Sequence, residues 1–330
     1  ADLDPKTGTL VPKDGRGVKV DDGAVTLLVT YQGPEFGVDA TGWAVYYTKD
    51  VDGDIQVWRG VPEGEGYRIE QVTFGARHQT PVISKNPAAE STRMVLIRGP
   101  WEGGTISWLD LKEPNKEYDI IEGTRTLVNA PRWADDSDLF TFCYREGPHA
   151  GQVALCDTST GKITIVSNDA GEKFYPWAWY APEYDGEMLV LALVDYTSLG
   201  IYRDTGGEYW ERIATVTVPP ESEMKYIRSP ETFVAGGKSY ISVGLRAGQA
   251  APWGSRRRGA AAGRTDAEVW VFGLDDDPKT RFARRCDDGR PGIRRSDPET
   301  YIGADEVFVF YTTYSSDGIE IWRAGTGIKP

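Results

Sequence analysis

The sequence predicts an all-β fold of repeated four-stranded units, on three observations. A proline-led strand pair recurs about every fifty residues, a third and usually a fourth apolar run follows each pair, and no window has convincing helical periodicity. The pairs are "GPEFGVDATGWAVYYTK", "TPVISKNPAAESTRMVLIRG", "APRWADDSDLFTFCYRE", "YPWAWYAPEYDGEMLVLALV", "SPETFVAGGKSYISVGL" and "DPETYIGADEVFVFYTT". Four strands per unit at this period is the pattern of a β-propeller blade. The sequence therefore reads as one propeller domain of six four-stranded blades, or seven if the insert at 246–268 hides another.

The elements follow in order. Each pair opens on its proline (Pro34, Pro81, Pro131, Pro176, Pro230, Pro298) and closes on a continuous apolar strand. The third strands are "IQVWRG", "TISWLDL", "QVALCDT", "SLGIYRD", "EVWVFGL" and "IEIWRAG". Fourth strands such as "YRIEQVTF" and "KITIVSND" follow in the first five copies. The sixth copy stops after its third strand, while a spare run, "AVTLLVTY", precedes the first. Residues 24–31 are thus expected to complete the last blade and close the ring, which removes exposed sheet edges. The expected blades are 32–74, 75–124, 125–169, 170–219, 220–289, and 290–330 with 24–31.

Composition narrows the function. The net charge of −13 in 330 residues argues against general nucleic-acid binding. No apolar run is long enough to span a membrane as a helix. Abundant tryptophan, glycine and acidic residues lean towards a secreted protein whose signal is not in this sequence, and a monomer is expected. Cys143 and Cys156 fall on neighbouring strands, where a bridge or two buried thiols are both open, with Cys286 left over. "DVDGD" at 50–54 reads as a hairpin tip.

In a propeller, the links into the inner strands and the loops between second and third strands share one face of the disc. His78 lies in such a link and His149 in such a loop. The links also supply Arg77, Gln79, Tyr175, Arg228, Arg294 and Arg295, and Arg132 follows the proline of blade three. The insert adds Trp253 and Arg256–Arg258. Arginines gathered on an acidic protein point to an anionic ligand, with uronic acids the obvious class. Trp177, Trp179 and Trp253 are placed to stack on sugar rings. A second set is Glu35, Glu231 and Glu299, each directly after a repeat proline. Such carboxylates would hold a hard cation such as Ca2+ or act as acid and base in glycoside hydrolysis.

"APRWADDSDLFTFCYREGPHAGQVALCD" resembles the corresponding blade of the oligogalacturonate lyases, propeller enzymes with a proline, an acidic turn and a Gly-Pro-His run. "DPETYIGADEVFVFYTTYSSDGIEIW" resembles their last blade in layout. More distantly the chain resembles lyases of rhamnose–glucuronate glycans. The resemblance implies β-elimination on a uronate-containing oligo- or polysaccharide, and a divalent metal held on late blades. The family's metal-binding histidines are absent here. Asp297, Glu299 and Glu231 stand at the comparable positions, with Glu35 beside them in the ring, and calcium is the cation they imply. On this expectation His78 is the base and Tyr175 the acid, while Arg228 and Arg295 hold the carboxylate at a central funnel. The alternatives are a propeller glycoside hydrolase using Glu35, Glu231 and Glu299, and a non-catalytic sugar-binding propeller.

Overall fold

The computed structural model describes residues 2–4, 9–11, 20–22, 35–86, 88–100, 104–113, 115–121, 131–134, 137–144, 147–248, 267–274, 281–315 and 318–330. The chain is a six-bladed β-propeller, nearly all β. Among the described residues its only helical element is a 3-10 turn at Pro182–Tyr184. By packing it divides into two compact units, Gly17–Asp169, and Ala170–Pro330 with Ala1–Arg16.

The Ala1–Arg16 segment contributes a short hairpin, β1 (Asp2–Asp4) with β2 (Thr9–Val11), which the repeat does not foretell. The Gly17–Asp169 unit holds three blades. Blade one is β3 (Glu35–Asp39), β4 (Gly42–Val51), β5 (Asp54–Glu63) and β6 (Gly66–Gln71). Blade two is β7 (His78–Ile83), β8 (Arg93–Arg98), β9 (Thr105–Asp110) and β10 (Glu117–Ile121). Blade three is β11 (Arg132–Trp133), β12 (Leu139–Cys143), β13 (Val153–Asp157) and β14 (Lys162–Ile165). The core lies between neighbouring blades. Tyr46, Val57, Ile83, Met94 and Leu96 fill the first seam, and Val82, Val95, Trp133, Phe140 and Phe142 the second. Gly37 lets blades one and two approach, since a Cβ there would meet the Ile83 side chain at 2.4 Å.

The second unit holds the other three. Blade four is β15 (Lys173–Ala181), β16 (Glu187–Val194), β17 (Ser198–Arg203) and β18 (Glu211–Thr217). Blade five is β19 (Tyr226–Ala235), β20 (Lys238–Arg246), β21 (Ala267–Gly273) and β22 (Ala283–Arg285). Blade six has β23 (Arg294–Ile302), β24 (Val307–Ser315) and β25 (Gly318–Gly325). Its expected fourth strand, 24–31, lies outside the described residues. Phe233, Val269, Val271, Val307 and Val309 pack the seam between blades five and six.

The repeat proline has a clear structural task. Proline has no N–H to give a ladder and is favoured in sheets at strand starts, edges and bulges; here the repeat proline takes a bulge. Four inner strands skip two residues against their partners, and the skipped pair is Thr80–Pro81, Tyr175–Pro176, Ser229–Pro230 or Asp297–Pro298. Thr80, Tyr175 and Ser229 take φ of 52°, 47° and 43°, a left-handed conformation that costs a residue with a side chain about 1–3 kcal/mol.

Candidate functional site

The bulge of blade five builds the strongest candidate site. Arg228 pairs with Gly244 across to β20, and Glu231 pairs with Ser242. Directly opposed residues point to the same face, so these four share one face of the blade. Gly244 leaves that face open: a Cβ there would find nothing nearer than 3.8 Å. Arg228 is only 8% exposed, with its guanidinium stacked on Tyr196 at 4.3 Å. Its Nε is buried and has no acceptor among the described residues, and the same is true of the Oγ of the fully buried Ser242. Arg59, Arg93, Arg98, Arg203 and Arg295 all have carboxylate partners. Arg228 has none among the described residues. A buried charge without a counter-ion is costly, and an arriving anion removes that cost.

Tyr196 is aimed by a strained turn. Val194–Thr197 closes through Thr197 N–H to Val194 O at 3.0 Å, with Asp195 and Tyr196 both at positive φ (49° and 60°). Such turns favour Asn-Gly or Asp-Gly, so this pair is held by its surroundings. The Asp195 carboxylate accepts the Glu172 N–H, and the Tyr196 carbonyl accepts the Ile227 N–H. The Tyr196 ring lies 4.2 Å from Phe174, beside Tyr175. Tyr175, Asp195, Tyr196 and Ser229 are four of seven described non-glycine residues at positive φ; Tyr196 stacks on Arg228 and Ser229 follows it in the chain. Strain of this kind persists where surrounding structure over-determines it, typically at functional sites.

The structure thus brings Tyr175, Trp177, Arg228 and Glu231 to blades four and five of one unit. It also adds Tyr196 and Ser242, which pattern reading missed. The run "VDYTS" gives no glycine to mark a positive-φ pair, and Ser242 looks like any strand serine.

Other expected residues need correction. His78 is wholly buried, and both ring nitrogens are engaged. Nδ1 lies 3.1 Å from Gln56 Oε1, and Nε2 lies 2.6 Å from a Glu117 carboxylate oxygen. The Gln56 amide is oriented by its own donation to the Gly75 and Ala76 carbonyls. His78 therefore joins blade one to blade two and offers a substrate no free nitrogen. Burial alone would raise the Glu117 carboxyl, but the His78 and Arg98 interactions hold it below the ordinary value. Gln79 is buried and donates to the Gly99 carbonyl. Trp179 is a core residue whose Nε1–H bonds Ser239 at 2.9 Å, which leaves no ring face for a sugar. Arg295 is 2% exposed and spends its donors on Asp288 and the carbonyls of Ala267, Ile293 and Arg290.

His149 is half-buried in the turn between β12 and β13, 5.7 Å from the Tyr144 ring. Arg132 is half-buried on β11. Arg294 is exposed and sits over the Tyr314 ring. Trp253 and Arg256–Arg258 lie outside the described residues, as does the Asp297 side chain. Glu35 and Glu231 are half-buried, and Glu299 is exposed. Among the described residues no three His, Cys, Asp or Glu side chains gather as a metal site. All three cysteines are buried, and none is in a disulfide. Cys143 faces Val153 and Cys156 faces Phe140, so the register does not pair them. Burial pushes the Cys156 and Cys286 thiols up to about 12, which makes them inert.

No protein-family model and no curated protein matches the chain. Solved structures do. Hydrazine synthase of Kuenenia stuttgartiensis aligns at TM-score 0.52 and 12% identity, over 91% of this chain and 80% of that one. Trypanosoma rangeli sialidase in complex with sialic acid aligns at 0.53 and 10%, over 94% of this chain and 58% of that one. An oligogalacturonate lyase in complex with manganese aligns at 0.49 and 14%, over 87% and 74%. The likeness is one of fold. Several of these similar propellers are enzymes, of different classes.

Proposed function

We propose that the chain is a carbohydrate-active enzyme, a lyase that cleaves a uronate-containing glycan by β-elimination at blades four and five. The observation that carries this reading is Arg228, buried and without a counter-ion among the described residues. Its guanidinium pairs the uronate carboxylate through two N–H groups and draws off charge as the neighbouring C–H loses its proton. Tyr175, on the adjacent inner strand, replaces the buried His78 as the proton-transfer group. The C5–H bond breaks, its electrons form the C4=C5 double bond, and the C4–O bond breaks. The proton leaves on the departing oxygen. Trp177, half-buried two residues on, supplies a ring for the sugar face.

The test is ultraviolet absorbance of the unsaturated product during incubation with a panel of uronate glycans. A rise that Arg228→Ala abolishes supports the lyase. New reducing ends without absorbance would overturn it in favour of hydrolysis by Glu231 and Glu299, which hold the same post-bulge position on neighbouring blades.

A further inference from the structure

His78 occupies a position that alternate blades fill with a buried cation. It stands three residues ahead of Pro81, at the start of β7. Lys173 stands likewise before Pro176 at the start of β15, and Arg295 before Pro298 near the start of β23. All three side chains are buried. Lys173 Nζ donates to the Ala170 and Gly171 carbonyls, and Arg295 to those of Arg290 and Ile293, each in the link before its own strand. The cation thus recurs in blades two, four and six, while blade five has Ile227 at this position. Of the three cations, histidine is the one whose charge ordinarily changes near neutral pH.

The partners of His78 decide its protonation. Gln56 Nε2 lies 3.1 and 3.0 Å from the Gly75 and Ala76 carbonyls, which can only accept. That sets the amide with Oε1 towards His78, where it also accepts the Thr73 hydroxyl at 2.8 Å. Nδ1 must therefore donate. Nε2, 2.6 Å from a Glu117 carboxylate oxygen, faces a second acceptor. A neutral imidazole has one N–H and would set lone pair against lone pair at its other nitrogen. The surroundings of Glu117 favour its anion. The Ser107 hydroxyl donates to its other oxygen at 3.4 Å, and the Arg98 guanidinium lies 3.6 Å from that oxygen. Arg98 stands opposite His78 across to β8 and also pairs Asp119. The last charged neighbour is half-exposed Arg77, just before His78, whose carbonyl accepts the Gly99 N–H at 2.7 Å.

We infer that His78 is an imidazolium at neutral pH, and that it makes the seam of blades one and two a pH-sensitive clasp. It is the member of the cation set that releases its proton first as the pH rises. Once the proton leaves, one ring nitrogen faces an acceptor with nothing to donate, and the seam loosens. A proton held by partners present only in the folded chain gives stability that is whole below its release and lost above it. The clasp does not depend on the lyase reading.

The experiment is nuclear magnetic resonance of the full chain carrying isotope-labelled histidine. The chain has two histidines, so His149→Gln leaves a single ring to observe. Two protonated ring nitrogens are expected at about pH 7, with one N–H signal lost as the pH rises. A single protonated ring nitrogen at that pH, whether or not Glu117 holds the other proton, would overturn the clasp. This spectrum decides the protonation state with no substitution at the seam. Thermal melts then test the consequence. His78→Lys installs the occupant that blade four has at this position, and lysine stays charged to higher pH. Between about pH 7 and about pH 9 the melting temperature of the unaltered protein should fall further than that of His78→Lys, by about 2 °C or more. The same pH course in both proteins would also overturn the clasp.

Discussion

At the scale of single residues, Arg228 and His78 part company. Both lie next to repeat prolines, and sequence alone gives them equal claims. Burial and partners separate them: Arg228 is buried with its Nε unpartnered among the described residues, while both ring nitrogens of the buried His78 are bonded. Arg228→Ala should therefore lower turnover on the responsive glycan by about a hundredfold or more. It should leave the melting temperature unchanged or higher, because an unpaired charge has gone; parallel rate assays and calorimetry check both. His78→Ala should behave in the opposite way. It strands Gln56 and a partly buried Glu117 and should cost about 3 kcal/mol or more, read by denaturant titration. Activity per folded molecule should survive. The sequence displays which residues stand near the prolines, but not which of them find partners, because those partners come from strands twenty to forty residues away.

At the scale of elements, most of the strand pattern was legible. Apolar runs and turn residues fell where the sheets have them, and the Asp52–Gly53 tip of β4–β5 has the two positive φ values that "DVDGD" implies. The bulge was not legible, since a proline marks a strand start and a bulge alike. Its strain is testable. Ser229→Gly accommodates the positive φ and should leave stability unchanged or slightly raised, glycine's entropy cost of about 0.5–1 kcal/mol offsetting relieved strain. Carboxylate binding at Arg228 should weaken, because a looser bulge no longer aims the guanidinium. A clear fall in melting temperature would show that the conformation stores no strain.

At the scale of the whole molecule, the chain carries an excess of carboxylates, and several are tied into its seams. Glu117, Asp39 and Asp288 are all held below their ordinary values: burial alone would raise each, but hydrogen bonds outweigh it, from His78, from Thr41 and Thr92, and from Arg295 and Arg290 respectively. A folded pKa below the unfolded one gives stability that is complete above the unfolded value and lost as pH falls through the folded one. Thermal melts should therefore hold steady through neutral pH and drop below about pH 4, near the reference carboxylate values. Blade count and blade order came from the repeat because each blade is a local unit. The seams did not, because they join residues from different units of the repeat. The bulges have one more consequence, for redesign. Thr80, Tyr175 and Ser229 stand outside the ladder, so the sheet does not dictate their side chains. Blades two, four and five thus each carry a position whose occupant the ladder leaves open, and a library varied there would sample new side chains on an unchanged frame.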